Sequence, residues 1–266
     1  MPKILVLGAG IMGAGIAQVL AQNEFSVVLY DPFPVALQKA EKRFQYNREL
    51  VSLTDQLSAD PQIDLVIEAV PENLALKKSL FQQLHSLLPE TTIFASNTSQ
   101  LSITALATAS QRPDRFIGMH WFNPPTVMRL IEIICGTMTA ETTLEKIVDL
   151  AQRLGRETVI VKDRQGFVTS RALAAHLLEC IRMLEEGVAS AQDIDKSIRL
   201  GLNYPMGPFE LADYIGLDTL LSAAEGMAQA YGERFRSPQL LRKLVEAGQL
   251  GRKSGRGFYD YGGADK

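Results

Sequence analysis

Lys3-Ile-Leu-Val-Leu-Gly-Ala-Gly-Ile-Met-Gly13 is the stretch whose reading decides the fold. Its first half is a continuous apolar run without polar alternation, the pattern of a strand buried on both faces of a parallel sheet. Runs of the same kind recur at Val27–Tyr30, Leu65–Ala69, Thr92–Ala95, Arg115–Met119, Leu130–Ile134 and Thr158–Val161. Helical periodicity separates several of them, at Ile11–Gln22, Pro34–Asn47, Leu74–Leu88 and Glu141–Leu154. Alternation of strand and helix predicts an α/β fold, a doubly wound, mostly parallel sheet with helices on both faces. After Asp163 the pattern becomes helical: Phe167, Ala174, Leu177, Leu178, Ile181 and Leu184 share one face before Gly187. Further helices are expected at Gln192–Leu200, Phe209–Ala230 and Pro238–Glu246, with an extended tail near Gly257–Tyr261. Two domains follow, 1–163 and a smaller, all-helical 164–266.

Gly8-Ala-Gly-Ile-Met-Gly13 reads G-x-G-x-x-G, a weak signal in isolation that gains meaning between a predicted strand and a predicted helix. Gly8 suits the tight turn, Gly10 lets the backbone approach a pyrophosphate, and Gly13 lets helix and strand pack closely. The N–H groups of Ile11 and Met12, at the positive end of the helix dipole, would face the phosphates. Asp31 closes the second strand at the spacing of the carboxylate that accepts hydrogen bonds from an adenosine ribose. It would repel a 2′-phosphate, and no Arg or Lys follows it in Pro32-Phe-Pro34, so NAD is expected rather than NADP. A structural glycine turn with a surface aspartate is the competing reading.

Composition narrows the rest. The 266 residues carry 27 Lys+Arg against 30 Asp+Glu, with 46% hydrophobic and 21% charged content, which is ordinary globular composition. A net charge of -3 with no basic patch or aromatic platform argues against nucleic acid as a partner. The apolar stretches are too short to span a bilayer, and the N-terminus reads as a strand rather than a signal peptide. Cys135 and Cys180, with three scattered histidines, offer neither a disulfide framework nor metal spacing, which fits a cytoplasmic protein.

Among the histidines, His85 on a helix flank reads as solvated and His176 among alanines and leucines as packed. His120 lies just past a buried-type strand, at the carboxyl end where open α/β sheets place ligands, and Trp121-Phe-Asn-Pro-Pro125 would stiffen its surroundings. Glu132 interrupts Leu130-Ile-Glu-Ile-Ile134, where a carboxylate is costly unless paired. Paired with His120 it would fix the imidazole tautomer and stabilise the imidazolium formed on proton uptake. A strand with one polar face also accounts for Glu132. Ala95-Ser-Asn-Thr-Ser99, at another strand end, could hold a substrate oxygen or a nicotinamide ribose through Asn97 or Ser99, or simply form a turn.

Taken with Glu68-Ala-Val-Pro-Glu-Asn73, Arg115–Pro124, Tyr204–Asp218 and Lys253-Ser-Gly-Arg-Gly-Phe-Tyr259, these motifs make nearly the whole chain resemble the short-chain L-3-hydroxyacyl-CoA dehydrogenases, including bacterial 3-hydroxybutyryl-CoA dehydrogenases. The resemblance implies NAD-linked interconversion of an L-3-hydroxyacyl-CoA and the 3-ketoacyl-CoA. It implies that His120 is the general base, Glu132 its carboxylate partner and Ser99 a contact to substrate and cofactor. Asn123 would sit near the nicotinamide, and Glu72, Lys77 and Lys253 would contact the cofactor. The helical domain would form a homodimer and close over the cleft.

Two departures stand out. Gly166-Phe-Val-Thr-Ser-Arg171 has Ser170 where the family has an Asn near the thioester carbonyl, and a hydroxyl replaces an amide. The segment Pro32–Ile63 is shorter than the family's lysine-bearing hairpin that helps hold CoA. Lys39, Lys42, Arg43 and Arg48 could meet CoA phosphates or form a solvated face. A dehydrogenase of free hydroxy acids and a non-catalytic NAD-binding protein are the alternatives. A helical-lysine dehydrogenase is disfavoured, since Gly166–Glu186 holds no lysine.

Overall fold

A computed structural model describes residues 2–262, so the last four residues of the expected second domain lie outside the described residues. The chain divides into two compact units, the first ending at Arg164 and the second beginning at Gln165.

The first unit carries an eight-stranded sheet: β1 (Lys3–Leu7), β2 (Ser26–Tyr30), β3 (Val51–Thr54), β4 (Ile63–Glu68), β5 (Ile93–Ser96), β6 (Phe116–Trp121), β7 (Leu130–Cys135) and β8 (Glu157–Lys162). Their order is β3-β2-β1-β4-β5-β6-β7-β8, parallel throughout except where β6 and β7 run antiparallel. This is the mostly parallel, doubly wound sheet expected from the sequence. The winding reverses between β1 and β4, which opens the crevice where such sheets bind ligands. Helices α1 (Ile11–Gln22), α2 (Pro34–Glu41), α3 (Leu74–Leu87), α4 (Ile103–Ala109) and α5 (Glu141–Arg153) connect the strands. The central strands need their apolar runs because both faces are covered: Val6, Leu7, Val66, Ile67, Phe94 and Ile117 are all fully buried.

Three elements differ from the periodicity reading. The edge strand β3 is only four residues, with a single buried side chain, and so has no apolar run to announce it. Helix α2 stops at Glu41 instead of reaching Asn47 because the following loop is fastened to α1. Gln18 of α1 accepts from Gln45 N at 2.8 Å and donates to Tyr46 O at 3.1 Å, and Asn47 Nδ2 donates to Ala21 O at 2.9 Å. The short α4 lies in an Ala/Thr-rich stretch; Asp163 holds its start by accepting from Ile103 N at 3.1 Å and Thr104 N at 2.8 Å.

The second unit is helical: α6 (Thr169–Glu185), α7 (Ala191–Gly201), α8 (Pro208–Ile215), α9 (Leu217–Tyr231) and α10 (Gln239–Glu246). The stretch expected as one helix from Phe209 breaks at Gly216, whose φ of 102° ends α8 before Leu217 N donates to Leu250 O at 3.2 Å. Leu177, Leu178, Ile181, Phe209, Leu217 and Met227 make its core. Two buried aspartates fasten the C-terminal segment. Asp213 accepts from Phe258 N, Tyr259 N and Tyr261 Oη, each at 3.0 Å, and Asp195 accepts from Tyr259 Oη at 2.8 Å.

Candidate active site

The glycine turn is built by close approach. A Cβ on Gly13 would lie 1.7 Å from the Gly8 carbonyl oxygen, and one on Gly8 would lie 2.7 Å from that of Ala69. Gly10 is different: a Cβ there would meet nothing within 4 Å, so the space above its backbone is open. The first intrahelical bond of α1 runs from Ala14 N to Gly10 O at 3.0 Å, which leaves the amides of Ile11, Met12 and Gly13 outside the helical ladder. The first turn of α1 holds no acidic residue, so the positive end of its dipole is not neutralised from within.

Asp31 braces this turn while facing the crevice. Its Oδ2 accepts from Ala9 N at 2.8 Å and its Oδ1 from Phe33 N at 3.0 Å, which still leaves lone pairs for a diol. Gly8, Gly10, Ile11, Met12, Tyr30, Asp31, Ala69, Val70 and Pro71 are among the residues lining a cleft of about 720 Å³. That size and its mostly apolar wall fit a cofactor site, with the polar groups gathered at the glycine turn.

Farther along the sheet, His120 and Glu132 face each other across the antiparallel β6–β7 pair. His120 Nδ1 lies 2.7 Å from Glu132 Oε2, with the histidine 7% exposed and the glutamate fully buried. A contact this short to a carboxylate assigns the proton to Nδ1, so the basic lone pair of the neutral ring is on Nε2. The Phe122 ring packs on the imidazole at 4.6 Å between centroids. The Asn123–Pro124 bond is cis, and Pro125 presses on α1 at Gly15, where a Cβ would lie 2.9 Å from the proline ring. The exposed Asn123 is thereby carried on a loop that packs against the glycine-turn helix.

At the end of β5, Asn97 Oδ1 accepts from Trp121 N at 2.8 Å, which ties this loop to the strand bearing His120. Ser99 is half-buried and held by Glu72, whose Oε1 accepts from Ser99 N at 3.0 Å, Ser99 Oγ at 3.3 Å and Gln100 N at 3.3 Å. Lys77, read from the sequence as a cofactor contact, is 1% exposed and turned inward. Its ammonium donates to Glu68 Oε1 at 2.6 Å and Val70 O at 3.1 Å and lies 3.3 Å from Glu72 Oε2, so its three protons are committed behind the cleft wall.

Sequence reasoning assigned no role to Glu68 itself. Its signal was of the kind that exposed Glu132, a carboxylate in an apolar run; here it falls at the end of β4. Burial pushes its carboxyl up, against the pull of Lys77, Ser96 Oγ and Val70 N–H. Ser170 lies in the first turn of α6 and Lys253 pairs with Asp218 Oδ2 at 2.7 Å, both within the second unit. His176 stacks on Tyr204 at 5.1 Å, and burial lowers its pKa, in line with a packed role. His85 is not simply solvated: its Nδ1 lies 3.3 Å from Arg112, whose guanidinium also takes the His85 and Leu88 carbonyls that end α3. Among the described residues no cluster of His, Cys, Asp and Glu could hold a metal, and no helix is long and apolar enough to cross a membrane.

A glycine turn that opens a helix, a carboxylate at the end of β2 and a buried His–Glu pair on the same sheet are the features of a dinucleotide-dependent oxidoreductase. Residues 3–164 match the family model for the NAD binding domain of 3-hydroxyacyl-CoA dehydrogenase, and residues 166–261 the model for its C-terminal domain. The chain belongs to the 3-hydroxyacyl-CoA dehydrogenase family and is an NAD-dependent enzyme of that class. It is 44% identical to a probable 3-hydroxybutyryl-CoA dehydrogenase of Bacillus subtilis, covering 97% of each chain. That alignment spans 278 positions, more than the 266 residues of this chain, so the relative carries residues that this chain lacks. It is 42% identical to the mitochondrial hydroxyacyl-coenzyme A dehydrogenase of Sus scrofa, over 97% of this chain and 90% of that one. The crystal structure of (S)-3-hydroxybutyryl-CoA dehydrogenase PaaH1 from Ralstonia eutropha superposes with a TM-score of 0.93 at 38% identity, covering 98% of this chain and 99% of that one.

Proposed function

We propose that the enzyme interconverts a short L-3-hydroxyacyl-CoA, of the size of 3-hydroxybutyryl-CoA, and the corresponding 3-ketoacyl-CoA. The observation that carries this reading is the buried 2.7 Å contact between His120, near the carboxyl end of β6, and Glu132. The names of the Bacillus and Ralstonia relatives support the substrate size. In the oxidative direction His120 accepts the C3 hydroxyl proton at Nε2, and Glu132 stabilises the imidazolium so formed. In reduction the same nitrogen returns the proton to the 3-oxygen. Bound NAD supplies the hydride acceptor, and its reduced form the donor. Gly8, Gly10, Ile11, Met12, Gly13 and Asp31 hold the adenosine diphosphate half. Asn97, Ser99 and Asn123 serve the nicotinamide half, Glu72 is a further cofactor contact, and Ser99 and Asn123 orient the substrate oxygens.

The shortness of the β2–β4 connection, where α2, a 3-10 turn at Arg48–Leu50 and β3 occupy residues 31–62, bears on how CoA is gripped. A homodimer through the second unit fits the exposed Val188, Leu200 and Leu202 on its surface, at 64%, 74% and 60%. Two unpaired thiols, Cys135 and Cys180, fit the cytoplasm. The test is a rate comparison of acetoacetyl-CoA and free acetoacetate, each with NADH and NADPH. Preference for the thioester with NADH is expected. Preference for the free acid would move the enzyme to hydroxy-acid chemistry, and no turnover of either would overturn the reading.

A further inference from the structure

Between β6 and β7, residues 123–129 are exposed apart from the buried Pro125, and this turn carries Asn123. It is tied to its surroundings at both ends. Pro125 seats on α1 at Gly15, where a Cβ would lie 2.9 Å from the proline ring. Arg156 Nη1 donates to the Met128 carbonyl at 2.9 Å, beside the main-chain bond from Glu157 N to Arg129 O at 3.0 Å. Within the turn, Val127 N and Met128 N both donate to Pro124 O at 3.0 Å, which links the Met128 anchor to the segment that follows Asn123.

Arg156 is a costly way to make its bond. It is half-buried, with its guanidinium carbon 5.7 Å from the ring centre of the buried Trp121, and no carboxylate pairs with it among the described residues. Its Nε finds no acceptor among them either. Burial and the charge of Arg129 lower its pKa, as for a cation withdrawn from water without a counter-ion. An apolar side chain packed on the indole would be at least as stabilising, but it could not hold the Met128 carbonyl. Trp121 itself follows His120 in β6, and its amide donates to Asn97 Oδ1 at 2.8 Å.

We propose that Arg156 and Gly15 are positioning residues that seat the turn after β6, Arg156 by its bond to the Met128 carbonyl and Gly15 by leaving room for Pro125, and so set where Asn123 meets the reacting groups. The proposal rests on the reading that Asn123 orients the nicotinamide and the substrate oxygen.

The test is a double-mutant cycle read as kcat/KM for acetoacetyl-CoA at saturating NADH, with NADH dissociation constants and thermal midpoints alongside. Arg156→Met keeps an unbranched side chain for Trp121 and removes the donor to Met128. It should lower kcat/KM about ten-fold, with the NADH dissociation constant within about two-fold of wild type because the glycine turn still holds the adenosine half. Added to Asn123→Ala, the same substitution should cost less than about two-fold, because a side chain that is absent cannot be misplaced. An arginine with a merely structural part would lower both backgrounds alike, and equal losses would overturn the proposal. Wild-type kcat/KM in Arg156→Met would overturn it too, as would a loss that appears wholly in NADH binding. Should Arg156→Met not fold, Gly15→Ala decides, since alanine favours the helix while its methyl displaces Pro125. A loss of kcat/KM that disappears in the Asn123→Ala background supports the seat. No loss, or an equal loss in both backgrounds, overturns it. Wild-type kcat/KM in Asn123→Ala would overturn the proposal together with the part given to Asn123, and would leave the His120 account standing. Absence of NADH-linked turnover in wild type would overturn the functional reading, and the proposal with it.

Discussion

His120 and Glu132 stand directly opposite each other in the antiparallel β6–β7 register, with Nδ1 2.7 Å from Oε2 and both side chains withdrawn from solvent. Antiparallel pairing is what allows this, since it places the two residues on one face of the sheet across a single strand gap. Glu132→Gln keeps the shape and removes the charge that supports an imidazolium. Steady-state kinetics should show kcat lower by about 10²-fold or more, with NADH affinity unchanged. A variant within about three-fold of wild type would leave the carboxylate without a catalytic part.

Gly13 and Gly10 should respond to the same substitution in opposite ways. Gly13→Ala drives a methyl into the Gly8 carbonyl, 1.7 Å away, and should cost about 1–3 kcal/mol or more in denaturant unfolding. Gly10→Ala meets nothing within 4 Å and should unfold as wild type does. Its methyl enters the space reserved for a pyrophosphate, so NADH titration should show weakened binding. Equal stability losses in the two variants would refute this division of roles.

Asp31 fixes the turn, through Ala9 N at 2.8 Å, and in the proposed function it also sets cofactor choice. Asp31→Ala removes charge-assisted hydrogen bonds, and the KM for NADH should rise about ten- to a hundred-fold. The ratio of kcat/KM for NADH to that for NADPH should fall, because like-charge repulsion of a 2′-phosphate is lost. An unchanged ratio would assign the discrimination to another residue.

The clasp on the C-terminal segment should titrate. Burial, opposed by the Phe258 and Tyr259 amides and the Tyr261 hydroxyl, holds the Asp213 carboxyl above its ordinary 3.8. The folded state therefore binds that proton more tightly than the unfolded chain. Its stabilising contribution is full below 3.8 and is lost as pH rises through the raised value. Thermal midpoints of wild type and Asp213→Asn, measured from acid to neutral pH, should diverge to the relative disadvantage of wild type as pH rises. A difference that stays flat, or moves the other way, would contradict the sign.

The extent to which the sequence announced all this follows from how each feature is encoded. β1 and α1 were legible to the residue because a fully buried parallel strand and a glycine turn leave unmistakable local patterns. β3 left none, because an edge strand of four residues with one buried side chain carries no periodicity. The end of α2 was invisible locally, since the Gln18 side chain on α1 and the bond from Asn47 Nδ2 to the Ala21 carbonyl decide where the following loop lies. Glu132 was picked out as a carboxylate inside an apolar run and His120 by its place at a strand's carboxyl end, although it lies inside β6 and not just past the strand. Lys77 entered only through the family resemblance, as a cofactor contact, and only tertiary structure shows its ammonium enclosed by Glu68, Val70 and Glu72.

Replacement of His120 bears most directly on the central claim, that this ring moves the proton while the cleft binds the cofactor independently. Single-turnover reduction of acetoacetyl-CoA by NADH should be slower in His120→Ala by about 10²–10⁴-fold, with the NADH dissociation constant within about two-fold of wild type. A variant that reduces acetoacetyl-CoA at close to the wild-type rate would contradict the assignment of His120 as the acid–base group.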